Sequence, residues 1–221
     1  AAILVYKIAK YYNGRGAVHG NLCGQKEDNM ETVRKGDLFV MPGTEQRKYT
    51  ITDIEALPEG KRAELLDGEL YMMASPGRRH QDIVMDLSYL IKDHIVRENG
   101  VCRIYPAPFG VYLSGDDRNY VEPDISVICD KSKLTDKGCV GAPDWIIEVV
   151  SDSSRLMDYH RKLFKYRTAG VREYWIADPD RQKVTVYHFE HERVEEYGFR
   201  DRVKSEIYEG FEIDFSEVGV E

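Results

Sequence analysis

Two acidic residues stand inside segments that otherwise have the composition of buried β-strands. Asp124 begins the segment "DISVICD", and Glu148 lies in the middle of "DWIIEVVS". Alternate residues of a strand face opposite sides of a sheet, so Glu148 shares its side with Ile146 and Val150. The other side of this strand is also apolar. Glu148 is therefore predicted to be a buried carboxylate.

The negative charge of a buried carboxylate must be compensated. Its isolated burial costs several kcal/mol, and two carboxylates about 5 Å apart repel by roughly 3 kcal/mol at an effective dielectric near 20. A salt bridge or protonation could compensate one acid, whereas a hard divalent cation offsets both effects together. Asp124 and Glu148 are thus candidate ligands of Mg²⁺ or Mn²⁺. The structural alternatives are a turn aspartate bonded to backbone amides and a buried ion pair of Glu148 with Lys162 or Arg161.

Sequence patterns predict the strands and helices that would position these acids. In "AELLDGELYMMAS" the Asp67-Gly68 pair predicts a tight hairpin that places Glu64 opposite Tyr71. After His80, apolar residues recur at helical spacing up to Asn99-Gly100, which predicts a long amphipathic helix. Extended segments follow, interrupted by a second helix that ends at Ala169-Gly170. This order predicts an α/β fold, with a mixed sheet flanked by helices.

Composition restricts the class of protein. The 221 residues, 42% hydrophobic, suit one globular domain, predicted over 48–221 after a loosely ordered N-terminal extension over 1–47, with Met30 as the expected natural start. No apolar run is long enough to span a membrane, and four scattered cysteines are expected to be unpaired thiols of a cytoplasmic protein. The net charge of −8 argues against bulk electrostatic coating of nucleic acid, so any such contact is expected to be local.

Several motifs together resemble a known family. "AELLDGELYMM", "EPDISVI", "GAPDWIIEVVS", "DYHRKLFKY" and "AGVREYWIADP" resemble the putative restriction endonuclease family, a domain of unknown function within the PD-(D/E)XK nuclease superfamily. The resemblance covers about residues 48 to 190. It implies a restriction-endonuclease-like mixed β-sheet flanked by α-helices, with extra hairpins. It also implies Mg²⁺- or Mn²⁺-dependent hydrolysis of DNA phosphodiester bonds.

The resemblance also implies the site residues. Asp124, Glu148 and Glu64 are the expected acids and metal ligands, and the backbone carbonyl of Val149 is a further expected ligand. The superfamily's lysine belongs two residues after the second acid, where this chain has Val150. Lys162, on the following helix, is expected to replace it, in preference to Lys165.

Nucleic-acid contacts are expected from residues around this set, namely His80, Arg78, Arg79 and Tyr166, the last of which could instead support the lysine. The expected site residues also have structural alternatives. Glu64 could be an exposed hairpin residue, His80 could satisfy loop carbonyls, and the arginines and lysines could be solvated charges.

Two functions of different classes follow. One is an endonuclease acting on DNA, expected to be a homodimer because duplex substrates have two-fold symmetry. The other is a non-catalytic interaction module that retains the scaffold. The nuclease requires the heads of Asp124, Glu148 and Lys162 to converge on a water-accessible cleft, whereas a lysine directed outward favours the module.

Overall fold

The computed structural model describes residues 47–151 and 154–219. The strands in chain order are β1 Ala63–Leu66, β2 Glu69–Met72, β3 Arg103–Pro106, β4 Val111–Tyr112, β5 Tyr120–Val121, β6 Ile125–Ile128, β7 Leu134–Thr135, β8 Gly138–Val140, β9 Trp145–Val149, β10 Glu173–Asp178, β11 Lys183–His188, β12 Arg193–Gly198, β13 Arg202–Lys204 and β14 Glu212–Asp214. The helices are α1 Ile51–Glu55, α2 Arg78–Arg97 and α3 Leu163–Ala169, the last preceded by a π-helical segment, Met157–Lys162.

The main sheet has six strands in the order β12-β11-β10-β9-β6-β3. Strands β9 and β10 are fully buried and parallel to each other, and the other neighbouring pairs of strands are antiparallel. Helix α2 covers one face and inserts Ile83, Leu87, Ile91 and Ile95 against the side chains of β9 and β6. The predicted mixed sheet flanked by helices, and the predicted amphipathic helix, are confirmed.

A second sheet covers part of the other face. Its strand order is β2-β1-β5-β4-β8-β7, and it packs together with α3 against Ile146, Val150, Tyr174 and Ile176. The predicted hairpin forms as expected, with Glu64 opposite Tyr71. Asp67 and Gly68 at its turn have φ of 52° and 77°, which a tight hairpin turn requires. This second sheet was not predicted as a separate layer.

The second sheet arises because two predicted extended segments bend. "RIYPAPFGVYLS" divides into β3 of the main sheet and β4 of the second, and "YVEPDISVICD" divides into β5 and β6 in the same way. Pro106, Pro108 and Pro123 fall at or between these strands, where a residue without an N–H cannot continue a ladder. Asp124 therefore lies just after a crossing between the two sheets.

The cysteine prediction is wrong for two residues. Cys102 and Cys129 form a disulfide. Strand β3 pairs antiparallel with β6, with Arg103 opposite Ile128, so Cys102 just before β3 lies beside Cys129 just after β6. Cys139 is a buried free thiol. The pairing removes the support that cysteine usage gave to a reducing compartment.

Some predictions concern residues outside the described part of the chain. Residues 1–46 of the predicted N-terminal extension, including Met30 and Cys23, lie outside the described residues. Among the described helices none is long and apolar enough to cross a bilayer.

Candidate active site

Asp124 and Glu148 are cross-strand neighbours on the main sheet. Strand β6 pairs antiparallel with β9, with Ile125 opposite Ile147, so continuing the register by one residue places Asp124 opposite Glu148. The backbone N–H of Asp124 lies 3.4 Å from Glu148 Oε2. The Asp124 carboxylate accepts the N–H of Val149 at 2.8 Å. The two acids therefore meet at one end of the sheet.

Glu148 is buried, and both oxygens of its carboxylate accept hydrogen bonds. Its Oε1 accepts hydrogen bonds from Lys162 Nζ at 3.0 Å and from the Tyr166 hydroxyl at 2.7 Å, while Oε2 is the oxygen near Asp124. Desolvation raises the Glu148 pKa well above its usual value, Lys162 opposes the increase, and Asp124 adds to it. Burial and the charge of Asp124 therefore disfavour the charged form of Glu148, and an additional cation beside it would stabilise that form.

Lys162 provides the ammonium group expected at this position. Its side chain points inward and its Nζ lies 2.9 Å from Glu64 Oε1, 3.0 Å from Glu148 Oε1 and 3.6 Å from Asp158 Oδ1. Desolvation lowers the Lys162 pKa, but the three acids outweigh it and the pKa stands well above its usual value. Lys162 is therefore a charged lysine at physiological pH, enclosed by carboxylates.

The π-helical segment explains how two residues of one helix reach this position. Asp158 and Lys162 are its buried residues, four positions apart, and Tyr166 follows four positions later in α3. A π turn widens the helix locally, and such turns occur often at functional sites. In the sequence these three residues stand four apart, which indicates a shared helix face but not the π geometry.

Glu64 reaches the same cluster from the second sheet. Its Oε1 contacts Lys162 and also accepts the backbone N–H of Glu122 at 3.1 Å. Only 5% of Glu64 is exposed, so the alternative of an exposed hairpin residue does not hold. Its observed partner is Lys162.

Asp124 and His80 form the more open side of the cluster. Their side chains are 19% and 17% exposed, against 4% for Glu148. His80 Nε2–H donates to Asp124 Oδ2 at 3.1 Å. Burial lowers the His80 pKa, but the hydrogen bond and charge of Asp124, together with the nearby Val149 backbone, outweigh it and raise the pKa. The Val149 backbone thus borders both side chains.

The remaining predicted site residues either lie outside the acidic cluster or support it from within the core. Arg78 is bonded to Asp82, and Arg79 contacts the Pro179 carbonyl and Asp180, all toward the surface. Lys165 pairs with the exposed Asp67 of the hairpin turn. Tyr166 is fully buried, so of its two predicted roles its position suits support of the cluster rather than contact with nucleic acid.

Two buried aspartates were not predicted as site residues. Asp158 is 1% exposed and joins the cluster directly, and Asp178, at the end of β10, is fully buried and bonded to Arg155. A signal for Asp158 existed, because it precedes Lys162 by four residues in "DYHRK". Nothing local in the sequence marked Asp178 as buried.

The donor set fits a divalent cation. Carboxylate and carbonyl oxygens are the ligands that Mg²⁺ prefers, and Mg²⁺ is commonly held by one or two carboxylates plus water and substrate phosphates. Among residues 47–151 and 154–219, no three His, Cys, Asp or Glu side chains form a ready ligand set. A site built on Asp124, Glu148 and the Val149 carbonyl needs only two side chains. The four carboxylates around one buried ammonium leave an excess of negative charge that a cation would reduce.

Comparison with a solved structure identifies the fold. The crystal structure of "a putative nuclease belonging to DUF820" from Anabaena variabilis has a TM-score of 0.63 and 21% identity, and the match covers 76% of this chain and 96% of that one. This similarity shows that the chain has a nuclease-like α/β fold.

The sequence then gives the family. The family model described as "Uma2: Putative restriction endonuclease" matches residues 51–216, and the chain belongs to this family. Two uncharacterised Synechocystis proteins are also similar: slr1290 is 26% identical over 58% of this chain, and sll1609 is 28% identical over 71%. The matches span 66% of slr1290, just under two thirds of its length, and 85% of sll1609. The family resemblance predicted from the motifs is confirmed.

Proposed function

We propose that this chain is a metal-dependent endonuclease that hydrolyses DNA phosphodiester bonds. The observation that carries the proposal is the meeting of Asp124 and Glu148 at adjacent strand positions, with the inward-directed Lys162 bonded to Glu148. The inward lysine brings its head to Glu148, as the nuclease requires, and the same contact is the buried ion pair named above as the structural alternative. The partial exposure of Asp124 supports the nuclease, because it gives the acids access to water. Membership of a family of restriction-endonuclease-like proteins supports the same conclusion.

In this proposal Asp124, Glu148 and the Val149 carbonyl would hold Mg²⁺ or Mn²⁺. A bound divalent ion would supply an activated water and would offset charge on the phosphate. Glu64 is assigned to Lys162, which is the partner that it contacts, rather than to the cation. The exposure of Asp124 and His80 makes their side the entry for a phosphate.

The protein residues have separate tasks. His80 fixes the Asp124 carboxylate through Oδ2, and the Val149 N–H binds the same oxygen. In the metal-free chain Tyr166 and Lys162 bond Glu148 through Oε1, which leaves Oε2 directed toward Asp124. Lys162 also supplies a positive charge near the place where the phosphate oxygens gain negative charge.

DNA contact is proposed to be local. The chain carries a net charge of −8, so attraction of the phosphate backbone must come from limited basic groups and the bound cation. Arg78 and Arg79 stand at the beginning of α2, two and one residues before His80, and are the nearest basic residues along the chain. A second copy of the chain would be needed to cut both strands at one site, which is why a homodimer remains our prediction.

A plasmid-nicking assay tests the proposal. Supercoiled DNA is incubated with Mg²⁺ or Mn²⁺ and with wild type, Asp124→Asn, Glu148→Gln or, as a control, the exposed Glu98→Gln. We expect nicking that requires the metal and falls at least about 100-fold in both site variants, with the control unchanged. Equal nicking by wild type and both site variants, or no nicking by wild type with either metal, would contradict the proposal.

A further inference from the structure

Asp158 is the most buried acid of the cluster, and the described residues satisfy its carboxylate poorly. It is 1% exposed, and neither oxygen receives a hydrogen bond of good geometry from the part of the chain that the structure describes. Desolvation raises its pKa, while Lys162 and the nearby Ser154 hydroxyl temper the increase. A buried, unbonded carboxylate is costly and calls for an explanation.

The distances around Lys162 provide one. An ammonium group has three N–H donors, and two of them have short contacts, with Glu64 at 2.9 Å and Glu148 at 3.0 Å. The third acid, Asp158, lies 3.6 Å away, beyond a normal hydrogen bond. A shift of the ammonium by less than one ångström would exchange one of the short contacts for a bond with Asp158.

We propose that Asp158 is a positioning residue that receives the Lys162 ammonium when Glu148 takes a divalent cation. This inference rests on the proposed function, because it assigns Glu148 to the metal. In the metal-free chain Lys162 neutralises Glu148. With a divalent charge on Glu148, the ammonium is repelled, and Asp158 gives it a second buried partner while Glu64 keeps hold of it.

The local helix geometry supports this role. Asp158 and Lys162 belong to the same π-helical segment, so their separation is set within one turn and not by the packing of two elements. The Asp158 backbone is also fixed, since its carbonyl accepts the Tyr174 hydroxyl at 3.2 Å and its N–H donates to the Ser154 carbonyl at 3.0 Å. The receiving carboxylate is therefore in place before the lysine moves.

Calorimetric titration with MnCl₂, without DNA, gives the first test. Wild type is compared with Asp158→Asn and with the control Asp93→Asn, which removes a partly exposed aspartate that also precedes its cation, Arg97, by four residues. We expect Asp158→Asn to bind Mn²⁺ about 10- to 100-fold more weakly, the usual effect of losing a partner outside the ligand shell. The control should retain the wild-type affinity.

Crystals of wild type with and without Mn²⁺ give the second test, which does not depend on a variant that folds. We expect Lys162 Nζ to approach Asp158 Oδ1 to about 3 Å with Mn²⁺ and to leave Glu148. An unmoved Lys162 in Mn²⁺-bound crystals, or equal Mn²⁺ affinity of Asp158→Asn and wild type, would overturn the inference and leave the proposed function standing. Absence of Mn²⁺ binding by wild type would overturn both.

Discussion

At the scale of single residues, charge compensation is the main feature of the site. One buried ammonium serves Glu64, Glu148 and Asp158, and Asp124 adds a fourth carboxylate nearby. Such an arrangement is stable only while the lysine is present or another cation replaces it. The energetic role of Lys162 can therefore be separated from any role in hydrolysis.

The variant Lys162→Met should lose about 3–5 kcal/mol in its free energy of unfolding, because it leaves buried acids without a partner. Addition of Mg²⁺ should recover part of this loss, since a cation on Glu148 and Asp124 restores compensation. Urea unfolding with and without MgCl₂ measures both effects.

Lys165→Met is the matched control, because Lys165 lies on the same helix and pairs with the exposed Asp67. Its loss should stay below about 1 kcal/mol, as for other surface ion pairs. Equal losses in the two variants would show that Lys162 does not compensate the cluster.

At the scale of elements, the first hairpin carries Glu64 into the cluster, and its turn depends on glycine. Gly68 has φ of 77°, and a Cβ at this position would lie 3.1 Å from the Lys48 side chain and 3.2 Å from the Tyr49 carbonyl oxygen. Gly68→Ala should therefore destabilise the protein by about 1–2 kcal/mol, measured by urea unfolding. Gly115→Ala, where nothing lies within 4 Å of the added Cβ, should have little effect.

An unchanged stability of Gly68→Ala would contradict the described turn. If Gly68→Ala unfolds at the same urea concentration as wild type, the turn does not have the left-handed backbone on which the placement of Glu64 depends.

The elements also show how far the sequence could predict this protein. Periodicity predicted α2, and residue alternation predicted the side on which Glu148 lies, because both depend on local patterns of burial. The division of two extended segments between two sheets was not predicted, because bends near Pro108 and Pro123 are set by packing between distant strands. The π-helical segment was missed because periodicity does not distinguish a π turn from an α turn.

At the scale of the whole molecule, a second buried charge cluster stands at the far end of the main sheet. His188, at the end of β11, is almost fully buried. The charged groups around its ring are Glu173, Glu195, Glu206 and Arg193. Burial lowers the His188 pKa, but Glu173 and Glu206 outweigh it and raise the pKa above 6.5. This cluster connects β10 and β11 with the segment that follows β13.

The raised pKa predicts the direction of a pH effect on stability. A histidine with a higher pKa in the folded state stabilises the protein fully below its unfolded pKa, and the stabilisation is lost as pH rises through the folded pKa. Wild type should therefore exceed His188→Gln in unfolding free energy by more at pH 5.5 than at pH 9. The exposed His160→Gln is the control, and a difference for His188→Gln that grows with pH would contradict the assignment.

The disulfide gives a further prediction for the whole molecule. The bond joins residues 27 apart in sequence, so its reduction should lower the free energy of unfolding by about 3–4 kcal/mol. Of the four cysteines, the two paired ones should resist alkylation in the denatured, unreduced protein, which leaves Cys23 and Cys139 to react. Mass spectrometry counts the labels. Four labels without reduction would show that Cys102 and Cys129 are not bonded.

Binding of Mn²⁺ followed by the electron paramagnetic resonance signal of the free ion tests the central claim most directly, because it asks whether Asp124 and Glu148 hold a cation at all. Wild type is predicted to remove about one Mn²⁺ per chain from solution, with affinity reduced more than about 100-fold in Asp124→Asn and in Glu148→Gln, since even an outer partner is worth about 10- to 100-fold. Binding of the same number of ions with the same affinity by wild type and both variants would contradict the account.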